Sequence, residues 1–166
     1  MSVHDSAAPA QSRRASDAWR LRNAGRILSD AVTRFESRIL ELMERAGHAG
    51  TRLSHINLTR HLDLDGTRIT ELARRASMTN AAMTELVDQC EALGLVRRHA
   101  DPDDRRARVV AFTPAGRQWL GAFGRAVKKA ERELALSIGR EAYTQIFGPL
   151  AEYAGSVESI KRSGRA

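Results

Sequence analysis

The sequence predicts a mainly α-helical chain with one small β-hairpin, and three observations carry that expectation. Apolar residues recur at three- and four-residue spacing over most of the length, the pattern of amphipathic helices. Between Leu95 and Phe112 that period gives way to two runs of strand character, Leu95–His99 and Ala107–Phe112, around the turn Ala100-Asp101-Pro102-Asp103-Asp104. The 166 residues hold a single cysteine, and no apolar run approaches the ~20 residues a spanning helix needs. Packing between helices, and not disulfides or lipid, has to supply the core. The length suits one domain, or one compact unit plus a dimerisation element.

Residues 1–15 are small and polar, with Pro9 and an Arg13-Arg14 pair, and read as a disordered arm. Residues 16–50 read as an N-terminal dimerisation helix, capped by Ser16 or Asp17, running to about Ala46 and stopped by Gly47. Leu21, Leu28, Phe35 and Leu42 recur every seven residues, and Ala24, Ala31, Val32 and Ile39 widen the stripe. A helix of ~30 residues is ~45 Å long, more than a small domain covers, so part of the seam should pack on a partner. Gly25 within it costs about 1 kcal/mol relative to alanine.

Residues 51–117 read as one lobe. A short helix over Thr51–Leu62 carries Leu53, Ile56 and Leu58, with His55 and His61 interspersed. Leu62 to Gly66 is a turn, and Thr67-Arg68-Ile69 can add a third strand, since a two-stranded hairpin alone is marginal. Thr70 reads as the cap of a second short helix with Leu72, Ala73 and Ala76 apolar, followed by the tight turn Ser77-Met78-Thr79. Thr79 is a good N-cap for a third helix, whose stripe is Met83, Leu86, Val87, Cys90 and Leu93 and whose stop is the C′ glycine Gly94. Asn80, Ala81, Thr84 and Glu85 face outward near its start. Residues 118–162 read as C-terminal dimerisation helices. Thr113 caps and Pro114 opens the first, with Leu120, Phe123, Val127, Ala130, Leu134 and Ile138 down to Gly139. The next has Tyr143, Ile146, Phe147, Leu150, Val157 and Ile160 as its apolar face. Gly148-Pro149 should kink it or split it in two, and the tail from Arg162 is polar.

Helix, turn, helix and a hairpin crowded with Arg97, Arg98, Arg105, Arg106 and Arg108 is the order of a winged helix-turn-helix. Small hydrogen-bonding side chains at the start of the second helix suit a major groove, and arginines suit phosphates and a narrow minor groove. A solvated surface ribbon is the open alternative for the hairpin. The net charge of +7 fits a polyanionic partner. Between residues 67 and 117, however, nine arginines face seven acids, so the position of the arginines matters more than their number.

These residues carry a family resemblance. Leu72-Ala73-Arg74-Arg75, Leu86-Val87-Asp88, Glu91-Ala92-Leu93-Gly94-Leu95-Val96, D-P-D-D-R-R-A from Asp101 and T-P-A-G from Thr113 resemble the MarR/SlyA family of bacterial transcription regulators. The match is dense from about Thr67 to Gly116, with helices on either side in looser support. The resemblance implies a fold that is mainly α with a small β-hairpin: a DNA-binding winged lobe plus a helical dimerisation region built from both termini. It implies a homodimer on a pseudo-palindromic operator of double-stranded DNA, and a repressor released by a small aromatic or phenolic effector. Closure of the terminal helices on each other within a monomer is the alternative.

On this reading Thr70, Thr79 and Arg75 position the protein on phosphates, the threonines with helix N-terminal amides behind them. Asn80, Ala81, Thr84 and Glu85 meet base edges, with Gln89 further along the same face. Many relatives carry a basic residue where this chain has Glu85, a departure that bears on sequence preference. In the wing, the family's D-x-R pairing carries over to Asp104, which would brace Arg106 for the minor groove, while Arg105 and Arg108 meet phosphates. Relatives bind aromatic anions in a cleft between dimerising helices and winged lobe. The candidates here are Trp19, Arg22, His55 and Arg68, each with a plain alternative as a packing or solvated residue.

Other chemistry finds no footing. Cys90 falls on the buried stripe and reads as a small core hydrophobe. His48, His55 and His61 lack metal-ligand spacing, and Asp101, Asp103 and Asp104 lack the rest of a calcium loop. Neither a phosphate-cradling glycine loop nor a nucleophile elbow is present, so the expectation is no enzyme, no cofactor and no metal. With no secretory h-region and no membrane span, the chain is expected to be cytoplasmic. An architectural or adaptor winged-helix protein with nonspecific DNA or protein contacts is the competing functional reading.

Overall fold

The computed structural model describes residues 18–20, 22–101, 104 and 106–155. The proposed arm over 1–15, the caps at Ser16 and Asp17, and Leu21, Val157, Ile160 and the tail from Arg162 lie outside the described residues. After a 3₁₀ turn at Ala18–Arg20 come α1 (Ala24–Arg45), α2 (Leu53–His61), β1 (Thr67–Arg68), α3 (Ile69–Arg75), α4 (Asn80–Ala92), β2 (Val96–Ala100), β3 (Arg108–Phe112), α5 (Pro114–Ile138) and α6 (Arg140–Tyr153). The fold is mainly helical with a small antiparallel sheet, as the sequence predicts. The chain forms two compact units, Met1–Arg38 and Ile39–Ala166.

In the first unit Asn23 starts α1, its Oδ1 accepting the Arg26 amide at 2.9 Å, an Asx cap on an otherwise unpaired N–H. Ile27, Leu28 and Val32 are exposed, Ile27 by 63%.

The second unit is built around Met43, Leu58, Leu72, Met83, Val87, Cys90, Val110 and Trp119, all fully buried. Gly47, at φ +88°, ends α1 as the sequence suggests. Its amide and that of His48 fold back to the carbonyls of Glu44 and Met43, at 3.0 and 2.9 Å. The sheet has the order β1-β3-β2, with Thr67 opposite Val110 and Val96 opposite Phe112. The expected third strand is therefore present, but it is Thr67–Arg68 alone, because Ile69 already begins α3. That continuity moves the cap. Arg68, in extended conformation, holds the N-cap position of α3, and Thr70 lies inside the first turn instead of capping it.

Gly94 (φ +70°) ends α4 in a Schellman motif: its amide reaches Glu91 O at 2.8 Å and the Leu95 amide reaches Cys90 O at 2.9 Å. Met83, Leu86, Val87 and Cys90 form the buried stripe, but Leu93, at the C-cap where the helix ends, is exposed. Thr113 caps α5 as expected, accepting the Gly116 amide at 2.9 Å, with Pro114 at the first helical position.

The buried face of α5 departs from the expected seam. Gly116, Trp119, Ala122, Ala126 and Ala130 are buried, whereas Leu120, Phe123, Val127 and Leu134 are half-buried and Ile138 is exposed. The close approach on this face is at Gly116, which lies against the Leu95 carbonyl. Trp119 donates its indole N–H to Thr51 Oγ1 at 2.9 Å and stacks on Phe123 with centroids 5.3 Å apart. The chain does not split into two helices at Gly148-Pro149: α6 runs through Pro149 as one helix. None of its residues is fully buried, and Tyr153 is 89% exposed.

Gly116 is required by contact. A Cβ there would stand 1.8 Å from the Leu95 carbonyl oxygen, so the helix start could not stay where it is. Gly116→Ala is expected to destabilise the chain by at least about 2–3 kcal/mol. Gly121→Ala, where the Cβ would meet only the Arg125 guanidinium at an ordinary 3.6 Å, should be neutral or stabilising by up to about 1 kcal/mol. Urea denaturation of both variants checks the contrast, and equal effects would refute the steric account.

Candidate nucleic-acid interface

The α3–α4 turn is made by Ser77, which takes φ +53°, so that its amide and that of Met78 close onto Arg74 O and Ala73 O at 3.2 and 2.9 Å. The backbone then extends into Thr79, whose Oγ1 accepts the Ala82 amide at 3.2 Å and caps α4 as the sequence indicates. With Met83, Leu86, Val87 and Cys90 turned inward, the opposite face presents Asn80, Ala81, Glu85 and Gln89, all exposed. Thr84 is half-buried and donates its hydroxyl back to Asn80 O at 2.8 Å. Burial pushes the Cys90 thiol up to about 11, as fits a core residue and not a reactive one.

At the wing tip, Asp104 Oδ1 accepts the Arg106 amide at 3.0 Å. This bond holds the backbone of Arg106. Arg106 and Arg108 are exposed. Arg105 lies outside the described residues. The base of the tip is tied down by Asp101, which is buried, takes Arg68 Nε at 2.5 Å and accepts the Asp104 amide at 3.3 Å. Asp101 therefore joins the hairpin to β1 in addition to shaping a turn.

Several arginines that look available in the sequence have intramolecular acceptors. Arg75 Nε meets Glu71 at 2.7 Å, while its Nη1 reaches Asp63 at 2.8 Å and His61 O at 3.0 Å. This structural task stands beside the phosphate contact expected of it. Arg74 forms a two-pronged pair with Glu71 at 2.7 and 2.6 Å. Hydrogen bonds from Arg74 and then Arg75 draw the Glu71 carboxyl down to about 2. Arg98, on β2, receives Glu91 at both its amide (2.6 Å) and its Nε (2.9 Å), and its Nη2 also pairs with Asp88. Thr70 is exposed.

The four candidate cleft residues divide between the units. Trp19, whose carbonyl accepts Asn23 Nδ2 at 2.9 Å, and Arg22 are both exposed in the first unit. His55 and Arg68 belong to the second. His55 is buried, and its Nδ1 accepts the Arg52 amide at 3.2 Å, helping to start α2. Arg68 is the partner of Asp101. Sequence reasoning missed these tasks, along with the Arg98 contacts. The signal for Arg98 was present: alternation along β2 puts it on the same face as buried Val96.

A family model described as MarR family matches residues 58–107. An uncharacterized HTH-type transcriptional regulator of Bacillus subtilis (strain 168), YdgJ, is 24% identical over 115 residues, 69% of each chain. The transcriptional repressor CouR, solved bound to a 23-mer DNA duplex, has a TM-score of 0.63 at 23% identity, covering 83% of this chain and 96% of that one. CouR from Rhodococcus jostii RHA1 bound to p-coumaroyl-CoA also gives 0.63, at 22% identity over 80% of this chain and 92% of that one. At these identities the structures share the fold.

His55 makes acid stability a check on the cap. Burial, and then the nearby Arg52, lower its pKa from the usual 6.5, so the folded chain holds the neutral ring while the unfolded chain protonates first. The cap's contribution is complete above ~6.5 and declines as pH falls below it. The thermal midpoint is expected to drop between pH 7.5 and 5.5, and to drop less in His55→Asn, which keeps an acceptor without titrating. Equal drops in both proteins would assign the pH dependence elsewhere.

Proposed function

We propose that this chain is a MarR-family transcriptional regulator that binds double-stranded DNA sequence-specifically, as a two-fold homodimer on a pseudo-palindromic operator. The observation that carries this reading is the polarity of α4: a sealed apolar stripe on one side and, on the other, a run of short polar side chains beginning at a capped N-terminus. Asn80 has the amide geometry to read adenine, Ala81 fits against a thymine methyl, and Glu85 can accept from cytosine N4, with Thr84 and Gln89 beside them. Thr70 and Thr79, both exposed, meet phosphates. Arg106 enters the minor groove from a tip braced by Asp104, and Arg108 supports it on the backbone.

The dimer is argued from apolar surface. Exposed Ile27, Leu28 and Val32 in the first unit, and Leu136, Ile138, Ile146 and Tyr153 in the second, leave amphipathic helices without cover. Two copies would present recognition helices about 34–36 Å apart, one duplex turn. We further propose repression relieved by a small aromatic or phenolic ligand, for which the aromatic acyl group held by CouR is the support. A ligand favouring a second spacing of the dimer would weaken DNA binding by its differential affinity alone. The family's proteins are regulators and not enzymes.

Selection from a random-sequence duplex pool tests the reading. The enriched sites should be inverted repeats with half-sites one turn apart, preferred over bulk DNA by ~10³ or more at physiological salt. Arg106→Ala should cost on the order of 1–3 kcal/mol on such a site with an unchanged melting temperature. Asn80→Ala should relax preference at one position of each half-site. Equal affinity for all duplexes would favour an architectural role and end the specific reading.

A further inference from the structure

We infer that Arg98 is a positioning residue for DNA reading, a clamp that holds the wing at a fixed distance from the recognition helix; this rests on the DNA-binding reading above. Period-two alternation turns Arg98 inward with Val96, toward α4, while Arg97 turns outward. There three donors of one residue are taken by two carboxylates of the helix. The backbone amide meets Glu91 Oε1 at 2.6 Å, Nε meets Glu91 Oε2 at 2.9 Å, and Nη2 pairs with Asp88 Oδ1. Main chain and side chain are engaged together, so β2 can neither slide nor rotate against α4 without breaking several charge-assisted bonds. The last turn of α4 has no basic residue of its own, and Arg98 supplies the cation that the carbonyl end of the helix favours.

The consequence for DNA follows from bivalence. A lobe that places α4 in the major groove and Arg106 in the neighbouring minor groove makes two linked contacts. The second contributes fully only when the spacing between them is already set. The clamp sets it. It also pairs Asp88 and Glu91, carboxylates on the flank of the reading face that would otherwise meet phosphates with their charge uncompensated. Lysine at position 98 would keep the cation but lose the planar fork that binds both acids at once.

A double-mutant cycle on the full chain tests the clamp, with a duplex enriched from the random pool as probe. In the native background Arg106→Ala should weaken binding by ~5–150-fold. In Arg98→Lys, at a temperature where circular dichroism shows both proteins folded, the same substitution should cost at least about threefold less, because a loosened wing has less to lose. A merely structural arginine would leave the cost of Arg106→Ala unchanged, and that result overturns the proposal. Should Arg98→Lys not fold, the Asp88→Asn/Glu91→Gln pair takes its place under the same criterion. Failure of the pool to yield any preferred duplex would instead sink the DNA reading itself.

Discussion

The carbonyl of Leu95 is the point on which the winged part of the second unit is hung. The amide of the same residue closes the end of α4 onto Cys90, and the Leu95 oxygen accepts the Thr113 amide at 3.1 Å. The Thr113 hydroxyl reaches Gly94 O at 2.5 Å while capping α5 through Gly116. Helix end, strand start, strand end and helix start therefore meet within a few atoms of one peptide. Two glycines make this arrangement possible, one by adopting a left-handed backbone and the other by having no Cβ to strike the carbonyl. Moving any of the four elements requires moving the others.

From that junction the charges acquire their meaning. A basic chain invites the view that every arginine faces nucleic acid, yet Arg68, Arg74, Arg75, Arg98 and Arg117 all have acceptors within the fold. Arg74 pairs within α3, while the other four fasten β1 to the wing, α3 to the segment around Asp63, β2 to α4, and α5 to Leu64. At the wing tip, Asp101 and Asp104 hold the backbone beneath the arginines proposed to meet a groove. Electrostatics contributes to assembly first and to recognition second.

How much of this could be read in the chain depends on the range of each interaction. Caps and stops are local, and so Thr79, Gly94, Gly47 and the Thr113-Pro114 start were legible from a few neighbouring residues. The third strand followed from the weakness of a lone hairpin. Thr70 misled because a strand running straight into a helix leaves the cap to the preceding residue, Arg68. Leu93 misled because periodicity does not tell where a helix stops covering its stripe. The seam expected of α5 includes Ala130, which is buried, but also Leu120, Phe123 and Val127, whereas the residues buried in their place are Trp119, Ala122 and Ala126, each one position away. His55 and Arg68, expected near a ligand, have partners at Arg52 and Asp101, the latter 33 residues away, a distance at which spacing carries no information.

The central claim, that two copies lay their recognition helices into successive major grooves with the wings in the flanking minor grooves, is tested most directly by footprinting. Hydroxyl-radical cleavage of a selected duplex should show protections related by a two-fold axis, repeating at one turn, with outer minor-groove protections that disappear in Arg106→Ala while the inner ones remain. A footprint that is uniform along the duplex, or that occupies a single half-site at saturation, would contradict it.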